Sequence, residues 1–130
     1  MGKWYGAAGV CVKNERVLMV LQGTIDEPKR WSVPSGGIET GETFETCCVR
    51  EVKEETGYGA EIVRPLFKKE SQYGEVHYFN VRIVGGKPTI QDPDEIIYDV
   101  DWKSTEDIQY LSLSYEEDRI FIKDFIKKNQ

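Results

Sequence analysis

The stretch that decides the fold of this chain is residues 36–58, which read GGIETGETFETCCVREVKEETGY. Within it, the segment from Thr43 to Thr56 contains neither Pro nor Gly, and Gly57 follows where helices often end in a left-handed residue. The pattern therefore predicts a helix over residues 43–56, which is about four turns long.

Three glutamates in the second half of this predicted helix share one side. At about 100° per residue, Glu51, Glu54 and Glu55 fall within an arc of about 100°, beside the apolar Val52 and away from Lys53. Carboxylates crowded beside an apolar surface oppose one another's ionisation unless a cation compensates them. Oxygen ligands without a His or Cys pair favour Mg²⁺ or Mn²⁺. A solvated acidic helix face is the alternative that these residues leave open.

A glycine-rich segment leads into the helix. Pro34, Gly36, Gly37 and Gly41 follow Trp31 within a few residues. Such a segment leaves backbone groups exposed near the start of a helix and can approach a phosphate closely. It therefore adds phosphate binding to the metal site that the glutamates indicate.

The two features together resemble the Nudix box. The matching residues are Gly36, five residues, Glu42, seven residues, Arg50, Glu51, Val52, any residue, Glu54, Glu55, any residue and Gly57. Tyr58 and Ser35 depart from the family pattern, which usually has an aliphatic residue and a glycine there, but neither departure removes a carboxylate. A pattern with so many fixed positions is far more specific than a short glycine motif.

The resemblance implies an α/β fold, the Nudix α/β/α sandwich with a mixed sheet, as a single domain over residues 1–130. It implies Mg²⁺-dependent hydrolysis of a pyrophosphate bond in a nucleoside diphosphate linked to another group, with a nucleoside triphosphate or related nucleotide as substrate. The alternatives are an RNA 5′ pyrophosphohydrolase, a dinucleoside polyphosphate hydrolase and a nucleotide-sensing domain without turnover. The intact glutamate set disfavours the sensing domain.

The resemblance also implies roles for individual residues. Glu51, Glu54 and Glu55 would hold Mg²⁺, with Mn²⁺ as a substitute. Further metal ligands would be the backbone carbonyl of Ser35 and the carboxylate of Glu95, which lies in an acidic loop that can equally be a solvated turn.

The catalytic residues would be Glu51, Arg50 and Glu54. Arg50 would orient Glu51 through a charge-assisted hydrogen bond. Glu51, or a carboxylate outside the box, would assist the attacking water. Glu42 would cap the start of the helix or reach a water bound to the metal.

Substrate contacts are expected from aromatic and basic residues near the box. Trp31 and Tyr73 are candidates to stack on a nucleobase, although aromatic residues more often belong to the core. Lys29 and Arg30 form a basic pair suited to phosphates, although such pairs also serve solubility. They lie at the end of the polar segment 23–30, which is predicted to be a loop able to close over a substrate.

Outside the box, apolar and alternating runs predict strands and one further helix. The strands are expected at residues 4–13, 16–21, 60–69, 75–84 and 97–102, the first two forming a hairpin across Asn14 and Glu15. A helix is expected over residues 114–128, with Ser114 as its N-cap and lysines at its end. Strands on both sides of a helix are typical of an α/β fold.

The composition narrows the class of protein. Seventeen basic and 23 acidic residues give a net charge of −6, which argues against broad nucleic-acid binding. The three cysteines have no CxxC spacing, so buried thiols are expected.

We expect a cytoplasmic protein without a membrane span, and exposed strand edges make a homodimer conceivable. His77 is expected to be a hydrogen-bonded histidine of the core or a pocket wall.

Overall fold

The computed structural model describes residues 2–90 and 96–129. In this part of the chain it contains β1 (Trp4–Val10), β2 (Val12–Lys13), β3 (Arg16–Gln22), β4 (Arg30–Ser32), β5 (Ser35–Gly37), α1 (Phe44–Thr56), β6 (Tyr58–Ser71), β7 (Gly74–Gly86), β8 (Ile97–Ser104), α2 (Thr105–Tyr110) and α3 (Asp118–Lys128). Strands and helices thus share one α/β fold, as predicted.

The strands form two sheets. The first sheet has the order β5-β1-β7-β6, and in it β1 runs parallel to β7 while the other pairs are antiparallel. In the second sheet β3 pairs with β2, β4 and β8, all antiparallel. The first sheet is therefore mixed, and β5 forms one of its edges.

Helices cover both faces of the first sheet. Side chains of β7 alternate, so that Tyr78 belongs to a core cluster with Ile122 and Ile126 of α3, whereas Phe79 belongs to a second cluster with Cys48 of α1. The expected alternation in β7 is confirmed. The result is a sandwich in which α1 and α3 lie on opposite sides of the sheet.

The predicted helix of the box is present with the expected ends. Thr43 accepts a hydrogen bond from the Thr46 amide and completes a capping box with the Thr46 side chain. Gly57 ends α1 in the left-handed conformation, with φ of 85°. Both ends are local signals of the sequence, and this explains why the prediction is correct.

Replacement of Gly57 by Ala is expected to destabilise the protein by about 1–3 kcal/mol, because an added Cβ meets a strained backbone conformation. A Cβ at this position would also lie 2.3 Å from the carbonyl oxygen of Lys87. Thermal unfolding followed by circular dichroism measures the loss. Gly85→Ala is the matched control, since a Cβ there meets nothing within 4 Å, and an equal loss in both variants would contradict this account.

The predicted hairpin over residues 4–21 is largely wrong. Only β2 pairs with β3, across Asn14 and Glu15, whose φ angles of 52° and 63° suit a tight hairpin turn. The longer β1 leaves this hairpin at Cys11 and pairs with β7 and β5 in the other sheet. Partners that are distant in sequence determine its position, and local alternation does not reveal them.

Other predicted boundaries also change. Ser114 is not an N-cap, because α3 begins only at Asp118 and its N-cap Glu117 makes no side-chain cap. Residues 23–29 lie between β3 and β4, as expected of a loop, but Arg30 already belongs to β4. The glycine-rich segment that precedes α1 contains the short strand β5. Helix α2 was not predicted.

The three cysteines are buried free thiols, as expected. Within the described residues, no helix combines the length and apolar character needed to cross a membrane.

Candidate active site

Strand β5 and helix α1 bring backbone and carboxylates together at the edge of the first sheet. Ser35 donates its amide N–H to Glu55 over 3.2 Å, and the Cys47 thiol lies 3.6 Å from the carbonyl oxygen of Gly36. A Cβ at Gly36 would lie 2.2 Å from the carboxyl carbon of Glu51. A side chain at residue 36 would therefore displace the Glu51 carboxylate from its present position.

The conformation of Ser35 agrees with its place in the box. Ser35 lies in β5 and pairs with Ala8 of β1. Among the described residues, only Asn14 and Glu15 combine a side chain with a positive φ. A serine therefore fits here without strain, although the family pattern usually has a glycine.

Arg50 is the centre of an ionic network on α1. Its guanidinium donates to both oxygens of Glu42, at 2.6 and 2.9 Å, to Glu51 at 2.6 Å and to Glu54 at 3.2 Å. It also donates to the carbonyl oxygen of Gly37 at 2.9 Å. Bidentate and charge-assisted contacts of this kind fix the geometry of a site. Arg50 thus ties three carboxylates of the box to β5.

The network leaves the carboxylates in different electrostatic environments. The hydrogen bond from Arg50 lowers the pKa of Glu42. By contrast, burial raises the pKa of Glu54, and the neighbouring Glu51 carboxylate raises it further. Glu51 and Glu55 are buried, with 9 % and 6 % of their surface exposed. Negative charge is therefore concentrated where little water can stabilise it.

Glu42 does not cap α1, which corrects one expectation. Its carboxylate accepts the amide N–H of Glu39, which lies before the helix, and the N-cap is Thr43. The second oxygen of Glu42 is held by Arg50. Glu42 therefore holds both the entry loop and the guanidinium.

The donor set fits a hard divalent cation by its chemistry. Glu51, Glu54 and Glu55 supply carboxylate oxygens, and Ser35 lies beside Glu55. Among residues 2–90 and 96–129, however, no group of three or more His, Cys, Asp or Glu side chains is arranged to hold a metal ion. The carboxylates of Glu51 and Glu54 instead contact one guanidinium nitrogen of Arg50, at 2.6 and 3.2 Å. Glu95 lies outside the described residues.

A cavity of about 540 Å³ adjoins this site through Ser35. Tyr73 lines the cavity and is 74 % exposed, so the structure brings this predicted residue to the site. Trp4, Tyr78 and Tyr115 line it as well. The cavity therefore joins an aromatic wall to the strand that meets the carboxylates.

The other predicted substrate residues lie elsewhere. Trp31 is partly buried against the core, with the ammonium of Lys103 4.1 Å from its ring centre. Lys29 donates to the carbonyls of Thr24 and Glu27 in its own loop. Arg30 lines a second cavity of about 300 Å³, which shares Tyr115 with the first. Trp31 and Lys29 are thus absent from the lining of the first cavity.

Trp4 and Tyr115 were not predicted to be site residues. His77 is hydrogen-bonded, as expected, with its Nε2 3.0 Å from Glu75, and its ring stacks on that of Phe44 at 3.6 Å between ring centres. It is a partly buried residue of β7 that packs against the start of α1.

The thiols behind the site are predicted to be inert in the folded protein. Burial raises the pKa of Cys47 to about 11 and that of Cys48 to about 12, from 9.0. Since only the thiolate reacts, iodoacetamide at pH 8 should modify them about 100-fold more slowly than in urea. Mass spectrometry of the alkylated protein measures this, and rapid native labelling at either cysteine would contradict it.

The raised pKa values of Cys47 and Cys48 also make the stability of the folded protein depend on pH in the alkaline range. Because folding raises these pKa values, their contribution to stability is complete below about pH 9 and is lost as the pH rises towards 11 and 12. The free energy of unfolding should therefore fall over this interval.

Comparisons with known proteins agree with the geometry. The model of the NUDIX domain matches residues 4–125. Putative nudix hydrolase 1 of Caenorhabditis elegans is 33 % identical over 110 residues, which cover 81 % of this chain and 30 % of that protein. Putative mutator protein MutT4 of Mycobacterium tuberculosis is 29 % identical over 121 residues, which cover 85 % of this chain and 48 % of that protein.

This chain thus matches less than half the length of either relative. A solved structure, a NUDIX hydrolase from Nitrosomonas europaea, superimposes with a TM-score of 0.84 at 20 % identity, covering 99 % of this chain and 92 % of the other. That likeness supports the fold, whereas the family model covers nearly the whole sequence. The chain belongs to the Nudix family of hydrolases.

Proposed function

We propose that this chain is a Mg²⁺-dependent hydrolase of pyrophosphate bonds in nucleotides, with a nucleoside triphosphate or a related nucleotide as substrate. The observation that carries the proposal is the arrangement of three glutamates on α1 next to an aromatic cavity: Arg50 binds Glu51 and Glu54, and the Ser35 amide of β5 binds Glu55. Acidic groups alone repel phosphates, but acidic groups with a divalent cation bind them.

The metal would be held by Glu51, Glu54 and Glu55, with the carbonyl of Ser35 and the carboxylate of Glu95 as further ligands. Bound there, Mg²⁺ would neutralise phosphate charge and increase the acidity of water, and Mn²⁺ would supply the same chemistry. The contacts of Arg50 with Gly37 and Glu42 would keep the guanidinium in place beside these ligands.

The residues of the chain would then act on the attacking water. Arg50 orients Glu51 and Glu54 through charge-assisted hydrogen bonds. Glu51, or a carboxylate outside the box, accepts a proton as the water oxygen bonds to phosphorus, and the bond from that phosphorus to the bridging oxygen breaks. The leaving group is a phosphate or a nucleotide.

Of the four predicted substrate contacts, Tyr73 and Arg30 belong to the proposed site. Tyr73 stands at the rim of the aromatic cavity, and Arg30 lines the neighbouring cavity that shares Tyr115. The position of Tyr73 suits a base in the first cavity, and that of Arg30 suits a polar group of the substrate that extends into the second. The packing of Trp31 against the core supports a structural role instead.

The test is release of phosphate or pyrophosphate from a substrate panel in the presence of Mg²⁺. The panel contains nucleoside triphosphates, dinucleoside polyphosphates, nucleotide sugars and RNA with a 5′ triphosphate. Turnover of nucleoside triphosphates supports the proposal. Turnover confined to RNA, or to dinucleoside polyphosphates, would make that compound class the substrate instead. Tight nucleotide binding without turnover of any compound would overturn it in favour of a sensor.

A further inference from the structure

The wall of the aromatic cavity contains a tryptophan that the catalytic proposal does not use. Trp4 lies at the start of β1, and 53 % of its surface is exposed. It shares the cavity wall with Ser35, whose amide binds Glu55. Single exposed aromatic residues are common on protein surfaces, so the position of Trp4 in this cavity wall, rather than its exposure, points to a role.

Two glycines provide the surface on which the indole ring lies. Gly6 pairs with Gly37 in neighbouring strands. A Cβ at Gly6 would lie 2.4 Å from Cη2 of Trp4, and a Cβ at Gly37 would lie 3.1 Å from its Nε1. The ring therefore rests against the backbone of both strands. A side chain at residue 6 would displace it, and one at residue 37 would shift it slightly.

The backbone around Trp4 is fixed as closely as its ring. The Trp4 amide donates to the carbonyl oxygen of Tyr73 over 2.8 Å. A Cβ at Gly74 would lie 1.7 Å from the carbonyl oxygen of Trp4, so only glycine permits this approach. The turn between β6 and β7 is thus held against Trp4, and Tyr73 stands at the same rim.

The charges around the cavity favour a neutral aromatic group over a phosphate. Glu70, Glu75 and Glu117 line it. Its lysine, Lys69, is bonded to Glu117 at 3.0 Å and to Asp118 at 2.6 Å. Because these carboxylates already neutralise the ammonium, the cavity offers little attraction to an anion, whereas its rings offer a surface to a base.

We propose that the indole of Trp4, held flat by Gly6 and Gly37, is the platform on which the nucleobase of the substrate stacks. The phosphates would then pass Ser35 and reach the carboxylates of α1. This inference rests on the proposed function, because it assigns the base of the same nucleotide. The volume of about 540 Å³ is within the usual range for sites that enclose small organic ligands.

The test measures binding without turnover. Isothermal titration with the four nucleoside 5′-monophosphates, which contain no anhydride bond, identifies the tightest ligand, and ribose 5-phosphate serves as the ligand without a base. Trp4→Leu is expected to weaken the binding of that nucleotide by about fivefold or more, whereas the affinity for ribose 5-phosphate should stay unchanged. The nucleotide affinity of Trp4→Phe, which keeps a smaller ring, should lie between those of the wild type and Trp4→Leu.

Tyr110→Leu is the control, since Tyr110 is 83 % exposed and lies at the end of α2. Circular dichroism establishes that each variant is folded. Unchanged nucleotide binding in folded Trp4→Leu, or an equal loss for ribose 5-phosphate, would overturn the inference. If the wild type hydrolyses nucleotides but binds none better than ribose 5-phosphate, the inference fails and the proposed function stands. If it neither binds nor hydrolyses them, both fail.

Discussion

Glu54→Gln is expected to lower kcat by about 10²-fold or more, because loss of a carboxylate from a metal site removes several kcal/mol of transition-state stabilisation. The stability of the folded protein should not decrease. Burial and the Glu51 carboxylate already oppose ionisation of Glu54, as its raised pKa shows, so a neutral side chain of equal size relieves repulsion. Steady-state kinetics and thermal unfolding of the same preparation measure the two effects.

Glu45→Gln is the matched control for this experiment. Glu45 lies in the first turn of the same helix and is exposed, so kcat and the unfolding temperature should both stay near the wild-type values. Glu55→Gln should lose activity as Glu54→Gln does. A kcat within about threefold of wild type in either site variant would contradict the proposed role of α1, since several kcal/mol correspond to far larger factors.

Arg50→Met is expected to destabilise the protein by about 2–4 kcal/mol, because it leaves partly buried carboxylates without their counter-charge. Glu42 and Glu51 have only 16 % and 12 % of their side chains exposed. If these residues and Glu54 belong to a cation site, Mg²⁺ should raise the unfolding temperature of Arg50→Met more than that of the wild type. Differential scanning calorimetry with and without Mg²⁺ measures both quantities.

The control for Arg50 is a surface ion pair. Arg82 is bonded to Glu61, and their side chains are 69 % and 45 % exposed, so Arg82→Met should cost less than about 1 kcal/mol. Arg50→Met that is as stable as the wild type, or that gains nothing extra from Mg²⁺, would contradict the electrostatic account of the site.

The features that the sequence predicted well depend on neighbouring residues. The ends of α1 follow from Thr43 and Gly57, and the alternation of β7 follows from its own side chains. The spacing of the box brings Arg50 and Glu54 together, because residues four positions apart are close on a helix. These parts of the fold and site needed no knowledge of distant partners.

The features that the sequence did not predict depend on distant partners or on very short elements. β1 pairs with β7 about 70 residues later, and neither strand identifies the other. β4 and β5 contain three residues each, too few for a periodic pattern. Helix α2 was missed although Ser104 and Asp107 form a capping box, a signal present in the sequence.

The cavity illustrates the same limit for function. Trp4 is far in sequence from Tyr73, and only the pairing of β1 with β7 brings them to one rim. Trp31, which stands next to the glycine segment in sequence, lies against the core instead. Proximity in sequence to the box was therefore a poor guide to which aromatic residues line the cavity.

The measurement that tests the central claim most directly is nucleotide hydrolysis by the wild-type protein after its metal ions have been removed with a chelator. We predict no release of phosphate or pyrophosphate from nucleoside triphosphates until Mg²⁺ is added back, and restored turnover afterwards. Equal turnover with and without a divalent cation, or no turnover in its presence, would contradict the claim that the carboxylates of α1 form a metal-dependent hydrolytic site.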